Sequence, residues 1–155
     1  MNLSMVTDRT QSDIDAAKQM RLKLQAGQSL TEEQKAILER GTCTAVMLNR
    51  IENAQKSLAI LLNKYAYMIN ISNKTWTTSQ IFSYDACQRV LENLDRLKKA
   101  FYTYETTPDT PSYMYGRQEA NDIEKILADI DELIEDMTGR FRQCGTFECG
   151  EANAL

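Results

Sequence analysis

Between residues 45 and 65 the apolar side chains fall at Leu48, Ile51, Ala54, Leu58, Leu61, Leu62 and Tyr65, in steps of three and four. At 3.6 residues per turn this spacing holds one apolar face over about five turns, and such a face is stable only when something covers it. Two later stretches make the same demand. Cys87, Val90, Leu91, Leu94, Leu97, Phe101 and Tyr104 line one; Ile123, Ile126, Leu127, Ile130, Leu133, Ile134, Met137 and Phe141 line the other. Long amphipathic helices cover one another most simply in a bundle, and no strand-rich stretch is long enough to compete.

End signals set the boundaries. A first short helix over 12–26 carries Ile14, Ala17, Met20 and Leu24 and stops at Gly27; a second over 32–40 follows the capping-box pair Thr31 and Gln34 and closes at Gly41. Thr44 is the expected N-cap of the first long helix. The next has two possible starts, Thr77 with Gln80 plus a Trp76–Ile81 staple, or Ser83, and it ends near Tyr104. Before it, "MINISNKTW" breaks the pattern, and Ile69-Asn70-Ile71 could be a short extended piece. After it, Pro108 and Pro111 force a loop. The last helix spans 117–141, with Gly116 at its N-cap and Glu119 favourable to the helix dipole. The expected fold is an all-α helical bundle of about three long and two short helices with a short extended C-terminal segment. It forms one domain over 1–155: an N-terminal helical pair (1–41), the main bundle (42–143) and a C-terminal arm (144–155).

One internal echo stands out. "NRIENAQKSLAIL" (49–61) and "NDIEKILADIDEL" (121–133) share Asn, Ile and Glu at a shift of 72. A duplication relating the two helices by a pseudo-two-fold would produce this match, and so would chance between amphipathic helices. Asn49 and Asn121 read as polar contacts to nearby backbone rather than as ligand-binding groups.

The totals narrow the chemistry. The 155 residues contain no histidine, which removes His-based zinc sites, Ser-His-Asp and Cys-His catalysis and the Glu-x-x-His di-iron pattern. Carboxylate, lysine or tyrosine chemistry stays open, but a non-enzymatic role is the expectation. A net charge of −4 argues against nucleic acid as a partner, since phosphate affinity is built from a Lys/Arg excess. The start "MNLSMVTDRTQSD" lacks the basic and apolar regions of a secretory signal, so a soluble protein made in the cytoplasm is expected. "SLAILLNKYAYMI" is interrupted by Asn63 and Lys64 and is too short to insert in a membrane.

The acidic residues of the last helix, among them Asp129, Asp131, Glu132, Glu135 and Asp136, read as a solvated face, as do Arg89, Arg96, Lys98 and Lys99 on the helix before it. Tyr102, Tyr104, Tyr113 and Tyr115 flank the proline loop and are expected to cover the bundle end. Cys43 and Cys87 read as small buried hydrophobes. Cys144 and Cys149 would point to opposite faces of an extended strand, and two cysteines fall short of a structural zinc site. No metal and no cofactor are expected.

Taken in order, "VTDRTQSDID", "SLTEEQKAIL", "LNRIE", "KTWT", "EANDIEKIL" and the terminal G-x-F-x-C-GE resemble a family of small helical proteins and modules. Members are encoded in tail and structural gene clusters of phages and prophages of Firmicutes. The likeness spans most of the chain. It departs at Cys43 and Thr44, where Tyr-Asn is usual, at Met47 in place of Asp, and at Phe82 in place of a frequent proline. The resemblance implies a non-enzymatic virion structural protein of the tail, tail tip, baseplate or fibre, located in the virion. It would pack against other tail proteins or against itself in a symmetric assembly, with no catalytic residue or cofactor to transfer. The alternative is a free acidic phage-encoded protein that binds a host factor.

The segment after the last stripe is the candidate contact surface. As an extended strand it would place Phe141, Gly145, Phe147 and Cys149 on one face and Arg142, Cys144, Thr146 and Glu148 on the other, able to add to a partner's sheet edge. Phe141, Arg142, Phe147 and Glu148 are the partner-binding candidates.

Overall fold

A computed structural model describes residues 3–114 and 116–144, with side chains as far as Gly139 in the last helix. Five helices follow one another: α1 (Gln11–Gln25), α2 (Glu32–Gly41), α3 (Ala45–Asn63), α4 (Tyr84–Ala100) and α5 (Arg117–Cys144). This is the all-α bundle of three long and two short helices, and no strand occurs among the described residues.

Thr10, Thr31, Thr44 and Ser83 begin α1 to α4, each hydroxyl accepting the amide three residues on. Ser83 is therefore the start that α4 uses. Thr77 and Gln80 close a separate turn, with the Thr77 amide donating to Gln80 Oε1 at 3.1 Å. Ile81 is exposed, and Trp76 packs edge-on against Phe82 instead, ring centroids 5.4 Å apart. The helix α3 stops at Asn63, short of Tyr65, because the Asn63 side chain turns the chain: it accepts the Ile69 amide at 2.6 Å and donates to the Ile69 carbonyl at 2.9 Å. Within that turn Ala66 and Met68 hold φ of 66° and 53°. The helix α4 likewise ends before Tyr104, at Phe101, whose buried ring meets Tyr67 edge-on.

The long helices run parallel. Arg50 of α3 pairs with Glu124 of α5, and residues 3–9 run alongside both: Leu3 bonds Asp131, Val6 bonds Glu124 and Arg9 bonds Asn121. Against α3 the same segment passes from Ser57 towards Met47. Between α3 and α4, Asn70 meets Arg96, Ser72 meets Asn93, Lys74 meets Glu52 and Trp76 meets Asn49. Between α4 and α5, Pro108 meets Lys98, Thr107 meets Asp129, and Met114 lies by Cys87 and Ala120. Each groove thus holds one segment running back along the bundle: 3–9, 69–76 and, after a turn over 104–107, 108–114. The long connections 64–83 and 101–116 return the chain to the same end before each new helix, which is how parallel neighbours are reached.

The core lies on the common axis. Ile51, Leu58 and Leu62 of α3, Val90, Leu94 and Leu97 of α4, and Ile123, Ile126, Leu127, Ile130 and Ile134 of α5 are all fully buried. Each such side chain stabilises the fold by about 1.5–3 kcal/mol through removal of apolar surface from water. The expected apolar stripes supply this core, except that Tyr65 falls past the end of α3 and is exposed, and Leu61, Leu133 and Met137 are only partly buried at its edge.

The expected N-terminal helical pair is present, and residues 3–9 ahead of it are built into the α3/α5 groove. The hairpin α1–α2 is inserted between segment 3–9 and α3 and packs mainly on itself. Its helices come close at Gly41, where a Cβ would run into the Asp13 carbonyl oxygen and the Ala17 side chain.

Candidate functional site

The echoed Asn-x-Ile-Glu sequences become a pair of clasps. Asn49 binds both backbone groups of one residue: its Oδ1 accepts the Trp76 amide at 2.7 Å and its Nδ2 donates to the Trp76 carbonyl at 2.9 Å. Asn121 does the same to Arg9, at 3.2 and 3.1 Å. One turn on, Glu52 and Glu124 finish the grip. Glu52 accepts the Trp76 indole N–H at 2.7 Å, the Lys74 amide at 2.6 Å and the Arg89 guanidinium at 2.8 Å. Glu124 accepts the Val6 amide at 2.6 Å, Arg50 at 2.8 Å, and the Arg9 guanidinium. An extended strand offers unpaired amides that cannot be buried bare, and the carboxamide and carboxylate supply their partners.

The third groove is fastened differently. Asp129 accepts the Thr107 hydroxyl at 2.7 Å and pairs with Lys125, and Lys98 donates to the Pro108 carbonyl at 2.6 Å. Apolar Met114 and Phe101 are buried at its two ends.

Electrostatics follow from these contacts. Burial opposes ionisation of Glu52, but Arg89, Trp76 and the Lys74 amide outweigh it and hold its carboxyl below the usual glutamate range. Arg89 is raised in turn by its bond to Glu52. With its lone pairs occupied by these donors, the Glu52 carboxylate fastens chain. Among the described residues no group of three His, Cys, Asp or Glu side chains could hold a metal ion. No helix among them is long and apolar enough to cross a membrane.

Several expected roles change. Glu124, Asp129 and Asp131 are not a solvated face: all three are buried, because the returning segments cover the flanks of α5 and bring donors to them. Glu132, Glu135 and Asp136 are exposed, as expected. Arg89 belongs to a clasp and is not mere decoration. Tyr102 and Tyr113 are exposed rather than covering the bundle end, Tyr104 is half-buried, and Tyr115 lies outside the described residues. Cys87 is buried, whereas Cys43 is exposed.

Of the partner-binding candidates, Phe141 and Arg142 lie on helical backbone, since α5 continues through Cys144. The extended strand expected from Phe141 onwards therefore does not form over 141–144. Phe147 and Glu148, like Cys149, lie outside the described residues.

A second surface feature sits at the other end of segment 69–76. Tyr67, Met68, Ile69 and Ala100 floor an open cleft of about 470 Å³ walled by Arg96 and Lys99. Met68 stands 91% exposed at its edge. Nothing in the apolar periodicity marks this cleft, because it is made by the turn that Asn63 closes.

No protein-family model matches the chain, and neither a curated protein nor a solved structure shows significant similarity to it.

Proposed function

We propose that this chain is a non-enzymatic structural component of a phage virion, belonging to the tail, tail tip, baseplate or a fibre, and that it works by packing against neighbouring protein. The observation that carries this reading is where the motifs of the resemblance fall. Arg9 of "VTDRT", Asn49, Arg50 and Glu52 of "LNRIE", Lys74 and Trp76 of "KTWT", and Asn121 and Glu124 of "EANDIEKIL" are the clasp residues. What these motifs specify is the fastening of extended segments to helices, as suits a building block rather than a catalyst.

Particles banded from a lysate of the producing host test the reading by mass spectrometry. Peptides of this chain should co-purify at a constant ratio to the major tail protein. Recovery only from the free soluble fraction would sink the proposal and favour a free acidic protein that binds a host factor.

A further inference from the structure

We infer that the α1–α2 hairpin is a self-association arm. Its open face packs on the same face of a second copy of this chain, α1 of each against α2 of the other, with Lys23 of each copy opposite Glu33 of the other. The inference stands apart from the virion reading.

The hairpin has no cover of its own. Of its helical residues only Ala17 and Gly41 are buried, where the two helices meet at its base. From Lys18 to Ile37, every side-chain hydrogen bond and ion pair among the described residues stays within one helix or its cap. None of these residues joins the hydrophobic core or packs against it. Helices of 15 and 10 residues are marginal by themselves, because helical stability in a protein comes mostly from covering an apolar face.

An uncovered apolar face is present. Ala16, Met20 and Leu24 recur every four residues along α1, and Ala36 and Ile37 follow Glu33 by three and four residues on α2. Leu24 is 46% exposed and Ile37 38%. Ala16 and Ala36 are small enough for another helix pair to come close. Gly41 lies against Asp13 and Ala17, which sets the level of one helix on the other. About two turns further from that contact, the antiparallel course brings Lys23 level with Glu33.

Charge selects a second copy as the cover. The helix α1 carries Lys18, Arg21 and Lys23 against Asp13 and Asp15, whereas α2 carries Glu32, Glu33 and Glu39 against Lys35 and Arg40. One helix is a net cation and the other a net anion. The hairpin's ion pairs among the described residues use Asp15, Lys18, Glu32, Lys35, Arg40 and Asp13, and leave Lys23 and Glu33 without one. A two-fold axis along the hairpins keeps every residue at its level and sets each α1 on the other copy's α2. Lys23 then meets Glu33 twice, with the apolar rows between them, and the contact closes as a dimer. A two-fold across the hairpins would set α1 on α1 and oppose like charges instead.

The test is the solution mass of the full chain by sedimentation equilibrium across a concentration series, with circular dichroism and Trp76 emission confirming the fold of each variant. Wild type should shift from 17.7 kDa towards twice that mass as concentration rises. K23E and E33K should each weaken the dimer by about tenfold or more, since either one opposes like charges twice. K23E combined with E33K should restore it. A wild-type monomer at every concentration would overturn the inference. So would a dimer that either single change leaves intact, or a double variant no stronger than the single ones.

Discussion

The two clasps are built on the same three-residue frame and grip differently. At Glu52 the held segment contributes an uncharged indole, and one arginine, Arg89, balances the carboxylate from the neighbouring helix. At Glu124 the held segment itself contributes a guanidinium, Arg9, and a second, Arg50, arrives from α3. One site is a matched ion pair sealed by an aromatic ring. The other is a carboxylate between two cations, one of them, Arg9, with only 2% of its side chain exposed. The difference teaches that the Asn-x-Ile-Glu frame fixes where a strand is held, while the residue on the strand decides how much charge is buried with it.

Removing the acids should separate the two clasps most widely. E124A strands Arg9 in the interior and should cost about 3–5 kcal/mol, the usual penalty for an uncompensated buried charge. E52A leaves Arg89 able to turn to water and should cost about 2 kcal/mol. Urea unfolding midpoints measure both, and equal losses would mean that the second arginine at Glu124 carries no weight.

Acid should open the Glu52 clasp in a way its neighbour's indole reports. Because the folded-state pKa of Glu52 is depressed, its contribution is complete above the ordinary glutamate value of 4.5 and is lost as pH falls through the lower folded value. Trp76 is the only tryptophan, so its emission should move to the red in that window. In E52Q the shift should no longer follow this titration.

The asparagines should matter next. N49A loses two hydrogen bonds to half-buried backbone and should cost about 1–2 kcal/mol, and N121A should cost somewhat more, because it also removes the acceptor of a third bond, from the buried Arg9 guanidinium. The smallest change is W76F, which keeps an aromatic ring and loses one N–H, at about 1 kcal/mol by thermal unfolding. A larger loss would assign the clasp's strength to the indole's packing against Phe82 rather than to its bond.

The core was readable because Leu58, Leu94 and Ile130 recur with the helix period, and period reports which side of a helix is covered by other helices. The clasps were half readable. The repeated Asn, Ile and Glu mark equivalent places on α3 and α5, yet the burial of Glu124 or Asp131 depends on segment 3–9, more than a hundred residues away in sequence and without any period of its own. Parallel packing was hidden for a related reason: stripes show that helices meet but carry no direction. The long connections 64–83 and 101–116 were the available signal, since antiparallel neighbours need far fewer linking residues.

Segment 3–9 has a consequence in time. Its partners Asn121, Glu124 and Asp131 are separated from it by 112, 118 and 128 residues. During synthesis residues 3–9 leave the ribosome well before α5 and find their docking surface only once that helix has emerged. Non-local closures of this kind slow folding, because the entropy of the intervening loop is lost before the contacts form. Segment 3–9 therefore acts as a latch, shutting the bundle only once α5 is in place.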